Sequence, residues 1–527
     1  MSVNPILLEV FKNRFSSIAE EMGVTLTHTA FSPNIKERRD LSCAVFDAKG
    51  DMIAQAAHIP VHLGSMPLSV KSAMAAMKKN GGFDKGDMVM LNDPFKGGTH
   101  LPDITLVAPV FANNNNTPAF FVANRAHHAD VGGMASGSMP LSSSLFQEGL
   151  IIPPVKILQR GTLNTELMRL ILNNVRTPAE REGDFSAQFM SNTIGVRRMR
   201  ECIEKHGLET CTTYARKLMD YSERITRQAI IDIPDGEYEF EDFLDDDGLG
   251  TEDIRINLTL KISGDTARLD FSRCDDQVRG SVNAVRSITL SAVLYVFRAL
   301  VARDIPTNAG CMRPIEVITR RGSIVDASFP AAVAGGNVET SQRIVDVILG
   351  ALAQAMPDRI PAASQGTMNN VTIGDAHGME GAPFAYYETL AGGMGASPKS
   401  PGESATHSHM TNTLNTPIEA LEYAYPFRVG EYAIRRDTGG MGKHQGGDGM
   451  VREIELLSDC EITVLSERRT RGAFGVAGGQ PGKPGLNILT RNDQPETLPG
   501  KFHRTLKKGD HIRIETPGGG GFGTPES

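Results

Sequence analysis

Apolar residues recur at helical spacing from the start of the chain. Ile6, Leu7, Val10, Phe11, Phe15, Ile18 and Met22 mark one face of a helix. Asn4 is its cap, Pro5 suits its first position, and Gly23 is the expected stop. The period then changes. Residues 41–56 form a hairpin pattern, with Leu41–Phe46 and Met52–Ala56 flanking the turn Asp47-Ala48-Lys49-Gly50-Asp51. Further strands are expected at Asp87–Leu91, Ile104–Phe111 and Ala119–Ala126, with Asn113–Asn116 as a polar loop. Helical spacing returns over about 165–230. The stretch 236–272 predicts a meander of Glu237–Leu244, Ile254–Ile262 and Ala267–Phe271, joined by Asp245–Gly250 and Ser263-Gly264-Asp265. Helices follow at about 284–302 and 339–356, and beyond 357 glycine-rich loops separate short strands. The pattern predicts an α+β (mixed α/β) fold: a large multi-part chain with several mainly antiparallel sheets, helices and long Gly-rich loops. Three regions are expected: 1–232, an N-terminal α/β region; 233–335, the meander plus a helix; and 336–527, a C-terminal Gly-rich α/β region.

Composition narrows the function classes. The 527 residues carry a net charge of −8, so no global positive field favours nucleic acid as a partner. With 54 glycines and 29 prolines, loops carry much of the architecture. Six cysteines without a CxxC pair argue against a disulfide framework or a zinc ribbon. The most apolar stretch, Ile288 to Val301, contains Arg298 and is too short to span a bilayer. No basic segment precedes an apolar core at the N-terminus. The expectation is a protein of a reducing compartment, most simply cytoplasmic, with neither membrane nor nucleic acid as partner.

The candidate chemistry concentrates between 92 and 133. Asn92-Asp93-Pro94-Phe95-Lys96-Gly97-Gly98-Thr99-His100-Leu101-Pro102-Asp103 is followed, one strand later, by Arg125-Ala126-His127-His128-Ala129-Asp130-Val131-Gly132-Gly133. His100 and Asp103 lie three apart around a proline, so a turn can bring both to one point. Imidazole plus carboxylate is a ligand set for Zn, Mn or Fe. His127 and His128 are strand neighbours whose side chains face opposite ways, so at most one joins a given metal. Asn34 to Ser42 is a charged run before an apolar strand, and His58 and His62 form a loop pair suited to substrate contact or loop structure, with metal binding as the alternative. Ala334-Gly335-Gly336-Asn337-Val338-Glu339-Thr340-Ser341 runs into a helix but lacks the lysine of a Walker A loop. No Gly-x-Ser-x-Gly elbow is present. Cys43, inside an apolar strand, is expected to pack.

Several of these runs together resemble the hydantoinase B / 5-oxoprolinase family (N-methylhydantoinase β-type subunit). The resemblance is carried by the 92–103 and 125–133 motifs, Glu148-Gly149-Leu150-Ile151-Ile152-Pro153-Pro154, Glu37-Arg38-Arg39-Asp40-x-Ser42-Cys43-Ala44 and Asn308-Ala309-Gly310-Cys311. Gly335-Gly336-Asn337-x-Glu339-Thr340-Ser341, Arg435-Arg436-Asp437-Thr438-Gly439-Gly440 and Thr516 to Gly523 extend it over nearly the whole chain. It implies a hydantoinase A-like ATPase subunit as partner, in a hetero-oligomer of A2B2 form, with ATP and Mg bound by that partner. It implies ATP-dependent opening of hydantoins, 5-oxoproline or other lactams; the alternative is ATP-dependent carboxylation of acetone- or acetophenone-type ketones. By similarity to the acetone carboxylases, a divalent metal is expected on His100, Asp103, His127 and an upstream carboxylate, for which Glu37 is preferred. Asp40 and Asp130 are the candidate catalytic carboxylates that would take a proton from metal-bound water.

Overall fold

The computed structural model describes residues 4–56, 58–112, 116–301, 305–375 and 383–525. Most of the expected polar loop Asn113–Asn116 lies outside them. Helix α1 (Pro5–Thr29) starts where its cap predicts: the Asn4 side chain accepts the backbone N–H groups of Ile6 and Leu7, at 3.0 and 3.3 Å. It does not stop at Gly23. Leu26 continues its buried face, and Gly23 has another use: a Cβ there would stand 2.3 Å from the His58 ring. The glycine permits that close approach rather than ending the helix.

After the single turn α2 (Pro33–Lys36), the chain builds a sheet of seven strands. They are β1 (Leu41–Asp47), β2 (Met52–Gln55), β3 (Met88–Leu91), β4 (Asp103–Val110), β5 (Phe120–His127), β6 (Val155–Gln159) and β7 (Thr162–Leu163), in the order β2-β1-β5-β4-β3-β6-β7. The hairpin β1–β2 forms as its turn sequence predicts, and every pairing in this sheet is antiparallel. All residues of β4 and β5 are buried, because the long helix Pro178–His206 covers one face and α3 (Met66–Lys79) the other, while α1 packs on β1 and β2. The helical region predicted after the sheet resolves into α4 (Thr165–Leu172), α5 (Pro178–His206) and α6 (Leu208–Ile231).

The predicted meander is β8 (Gly236–Asp246), β9 (Glu252–Ser263) and β10 (Thr266–Asp270). After α7 (Arg286–Leu300), β11 (Ile315–Ile318) adds to it in parallel. Helix α8 (Ser341–Ala355) packs on β8 and β9. The largest apolar core runs from Phe11 through β4, β5 and β9 to Leu352. The rest of the chain forms a four-stranded sheet that includes Asn370–Asp375 and Phe384–Thr389, and a five-stranded one, with a second core between them. Gly518–Gly521 is a packed segment of that part: a Cβ at Gly518 would stand 2.0 Å from the Thr438 carbonyl oxygen. Among the described residues no helix is long and apolar enough to cross a membrane.

Candidate metal centre

Strand register brings the site together. Asp103 of β4 is the direct partner of His127 in β5, and Leu41 of β1 is the partner of Ala126. Asp40, one residue before β1, therefore stands beside His127, whose N–H donates to the Asp40 carbonyl at 3.0 Å. Asp40, His127 and Asp103 form a row across three neighbouring strands at one end of the sheet. Partners in register point to the same face, so this row faces the α3 side, with Ser42, Thr105 and Arg125 behind it. His128, one residue on, points the other way. Its Nε2 lies 3.0 Å from Gln188 Oε1 of α5 and its ring packs on Phe185.

The turn Thr99–Pro102 returns His100 to this row. His100 Nε2 lies 3.2 Å from Asp103 Oδ1 and 3.2 Å from His127 Nδ1, and His127 Nδ1 lies 3.3 Å from Asp103 Oδ1. All three side chains are buried. Among the described residues they are the group of three imidazole, thiol or carboxylate side chains that converge as a metal site would require. Donor atoms about 2.0–2.2 Å from an ion stand roughly 3 Å from one another, so the spacing fits a single divalent cation. The hydrogen bonding fits it too. His100 Nδ1 faces the Ala334 carbonyl oxygen at 3.4 Å, which assigns its proton to Nδ1 and leaves the Nε2 lone pair directed inward. Asp103 Oδ1 is buried and accepts no hydrogen bond. Two acceptors facing each other at 3.2 Å call for a shared cation. The N/O donor set suits Zn, Mn or Fe.

The second Asp103 oxygen is held from behind. Oδ2 accepts from the Thr99 hydroxyl, and His62 Nε2 stands 3.2 Å from it. His62 Nδ1 in turn lies 2.9 Å from the Ser42 hydroxyl. Burial pushes the Asp103 carboxyl up, but the His100, His62 and His127 imidazoles around it outweigh that and hold it well below the usual range. Burial also lowers His127, against the opposing Asp103 and Asp40 carboxylates. Both shifts favour the charge states that a metal needs, carboxylate and neutral imidazole.

Other parts of the chain close the site. Asn337, on a π-helical turn (Gly336–Thr340) leading into α8, places its Nδ2 3.0 Å from His100 Nε2, and its buried Oδ1 has no partner. Tyr387 stacks on His127 with centroids 4.4 Å apart, and the Arg38 guanidinium lies 4.9 Å above the Tyr387 ring. Arg38 also donates to Asn34, whose own amide donates to the His127 carbonyl at 2.6 Å, so the 34–42 run builds the back of the site. Glu148 accepts the N–H groups of Val333 and Ala334 at 2.7 and 3.0 Å, fixing the carbonyl that orients His100. What remains open is a cavity of about 20 Å3 lined by Asp40, His62, Asp103, His127, Asn337 and Tyr387, room for about one water.

The candidate residues thus divide. His100, Asp103 and His127 meet, and Asp40 borders their cavity. Glu37 does not join them: it closes the α2 turn through its backbone, and its side chain is half-exposed and belongs to no such cluster among the described residues. Asp130 is engaged elsewhere, accepting the Arg176 guanidinium at 2.9 Å and the Arg176 N–H at 2.6 Å. Cys43 is buried, with its thiol pushed up to about 12 by burial. Sequence pattern marks His62 as one of a loop pair suited to substrate contact, not as a partner of Asp103, and assigns no residue role to Asn337 or Tyr387. His62 and Asn337 lie in runs that stand out for their histidines and glycines, whereas Tyr387 carries no local signal.

Fold and site together define a mixed α+β protein with a buried imidazole–carboxylate donor set at the end of an antiparallel sheet. The sequence matches the Hydantoinase B/oxoprolinase family over residues 4–525, and the chain belongs to that family. It is 40% identical to the 5-oxoprolinase of Dictyostelium discoideum over 534 residues; the match takes in 100% of this chain but only 41% of that protein. It is 39% identical to 5-oxoprolinase 1 of Arabidopsis thaliana over 547 residues, covering 98% of this chain and 42% of the relative. The crystal structure of the ATP-dependent caprolactamase from Pseudomonas jessenii superposes with a TM-score of 0.92 at 28% identity, covering 99% of this chain and 92% of the other.

Proposed function

We propose that this chain is the metal-binding subunit of an ATP-dependent cyclic amide hydrolase, opening a hydantoin, 5-oxoproline or another lactam. It acts with a hydantoinase A-like ATPase subunit in a cytoplasmic hetero-oligomer of A2B2 form. The observation that carries this reading is the convergence of His100, Asp103 and His127 on one point, in a family with relatives named for cyclic amide chemistry.

A cyclic amide is a poor electrophile, and phosphorylation of its oxygen by the partner would activate the ring carbon toward water. The ring nitrogen then leaves as an amine carrying a proton from that water, and the acyl phosphate left behind is hydrolysed to carboxylate and phosphate. A divalent ion would be held by His100, Asp103 and His127 and would supply a water of lowered pKa and a positive charge for the tetrahedral oxyanion. The protein does the rest. Thr99 and His62 fix Asp103 so that one oxygen remains for the ion. Asp40, in the same cavity, takes the proton of the attacking water on its carboxylate. The Asn337 amide donates to the oxygen that becomes negative, and Tyr387, Met368 and Met410 exclude bulk water.

The test is the co-purified complex with ATP and a panel of hydantoin, 5-oxoproline and caprolactam, with and without bicarbonate. The expected result is ATP-dependent ring opening that bicarbonate does not change. Failure of the complex to open any of the three rings with ATP would overturn this reading.

A further inference from the structure

Two imidazoles of the candidate metal centre are each met by a residue from a distant part of the sequence. Asn337 Nδ2 stands 3.0 Å from His100 Nε2, and the Tyr387 ring stacks on His127. One buried carboxyl joins these two contacts. Glu339 lies on the same π-helical turn as Asn337, two residues on, and is fully buried. Its Oε1 accepts the Met368 N–H at 3.0 Å and the Asn370 side-chain amide at 2.7 Å. Asn370 Oδ1 in turn accepts the Tyr387 hydroxyl at 2.9 Å. At the end of this path the Tyr387 and His127 rings lie 13° from parallel.

Each member of the path is anchored a second time. Gly336 opens the π turn so close to the segment before α7 that a Cβ there would stand 1.9 Å from the Asn283 carbonyl oxygen. The Thr340 hydroxyl closes the turn by donating to the Val282 carbonyl. The Asn370 amide also donates to the Leu465 carbonyl at 3.0 Å, and Arg38 donates to the Tyr387 carbonyl at 3.2 Å. The Tyr387 ring is thus fixed at its hydroxyl and at its backbone. A ligand's lone pair must point at the ion, so the plane of an imidazole matters as much as its position. A ring stacked on an immobile tyrosine keeps that plane.

Glu339 is an expensive residue to bury here, because its Oε2 has no hydrogen-bond partner. An apolar side chain of similar size would remove that cost but leave the Met368 and Asn370 donors unmet. We infer that Glu339 is a positioning residue for the candidate metal centre: through Asn370 and Tyr387 it fixes the plane of His127, and through the π turn it fixes Asn337 beside His100. The inference rests on the metal-binding reading proposed above. The working feature is the accepting oxygen of Glu339, not a negative charge.

The test is titration of the metal-free full chain with Co(II), whose visible absorption reports the geometry of its ligands. Glu339→Ala is expected to bind Co(II) about 10–100-fold more weakly than wild type, with altered visible bands. Glu339→Gln keeps the accepting oxygen, and its affinity should stay within about threefold, with wild-type bands. Tyr387→Phe keeps the ring and loses only the hydroxyl bond. It should weaken Co(II) about tenfold and alter the bands, and it decides the matter should Glu339→Ala fail to fold. A role confined to packing would lower the urea midpoint of Glu339→Ala while Co(II) affinity and bands stayed those of wild type. That result, or wild-type affinity and bands in Tyr387→Phe, overturns the inference and leaves the metal-binding reading intact. So does a Glu339→Gln protein as weak as Glu339→Ala, which would make the charge the working feature. A wild-type chain that binds no Co(II) would overturn the metal-binding reading and this inference with it.

Discussion

Asp103 and His127 are direct register partners across β4 and β5, and this pairing places His127 Nδ1 3.3 Å from Asp103 Oδ1. A slip of one residue would turn one of the two to the opposite face. The candidate metal centre is thus as strongly specified as the buried sheet that carries it. His100 then needs only the three-residue turn before β4 to complete the set.

Asp103→Asn keeps the shape and loses the charge. The expected outcome is at least a tenfold drop in bound divalent metal by elemental analysis and at least a hundredfold drop in ring opening by the complex. A turn-capping role alone would let Asn serve nearly as well. Wild-type metal content and rate in this variant would remove Asp103 from the site.

His62 acts through Asp103, so its loss should loosen the site without removing a ligand. For His62→Ala we expect metal affinity to fall about 10–100-fold, as for partners that orient ligands. Calorimetric titration of the apoprotein with Mn or Zn measures it. An affinity equal to wild type would show that Thr99 suffices to hold Asp103.

Asp40 and Glu37 separate cleanly in this geometry. Asp40→Asn should lower turnover at least a hundredfold, whereas Glu37→Gln, at a half-exposed helix end, should stay within threefold. The reverse order would return Glu37 to the site and displace Asp40 from it.

Asp130 is bound to Arg176, and Asp130→Asn would leave a guanidinium short of its charge partner. The expected cost is about 2 kcal/mol in denaturant unfolding, with metal content unchanged. Loss of metal at unaltered stability would contradict this assignment.

Acid should destabilise the fold through its buried histidines. Burial lowers His128 and His407 to about 4, against an ordinary value of about 6.5 in the unfolded chain. Between those values the unfolded chain binds more protons than the folded one, so stability rises with pH across the window and falls as pH drops from about 6.5 toward 4. Each group contributes up to about 2 kcal/mol by pH 5. Urea midpoints at pH 5, 6 and 7 should fall with acidification, less steeply in His128→Gln. A variant slope equal to that of wild type would exclude His128 as a source.

Much of this protein is legible without coordinates because the deciding physics is local. Asn4 and Pro5 set the start of α1, the Asp47–Asp51 turn sets the β1–β2 hairpin, and the Thr99–Asp103 turn joins His100 to Asp103. Strand alternation alone requires His127 and His128 to face apart. Which of them meets the cluster depends on register with β4, a relation between segments that no single segment encodes. The same register puts Asp40 beside His127 and leaves Glu37 on its helix turn. Asp130 finds Arg176, more than forty residues on, and His62, Asn337 and Tyr387 reach the site from three separate segments. Gly23 resembles a helix stop in the sequence because its actual reason, the His58 ring against it, lies across the fold. Capping, turn formation and alternation are short-range and are decided by the sequence itself. Register, ion pairing and close approach between distant segments are settled only when the core closes, because only then do the competing partners differ in burial and distance.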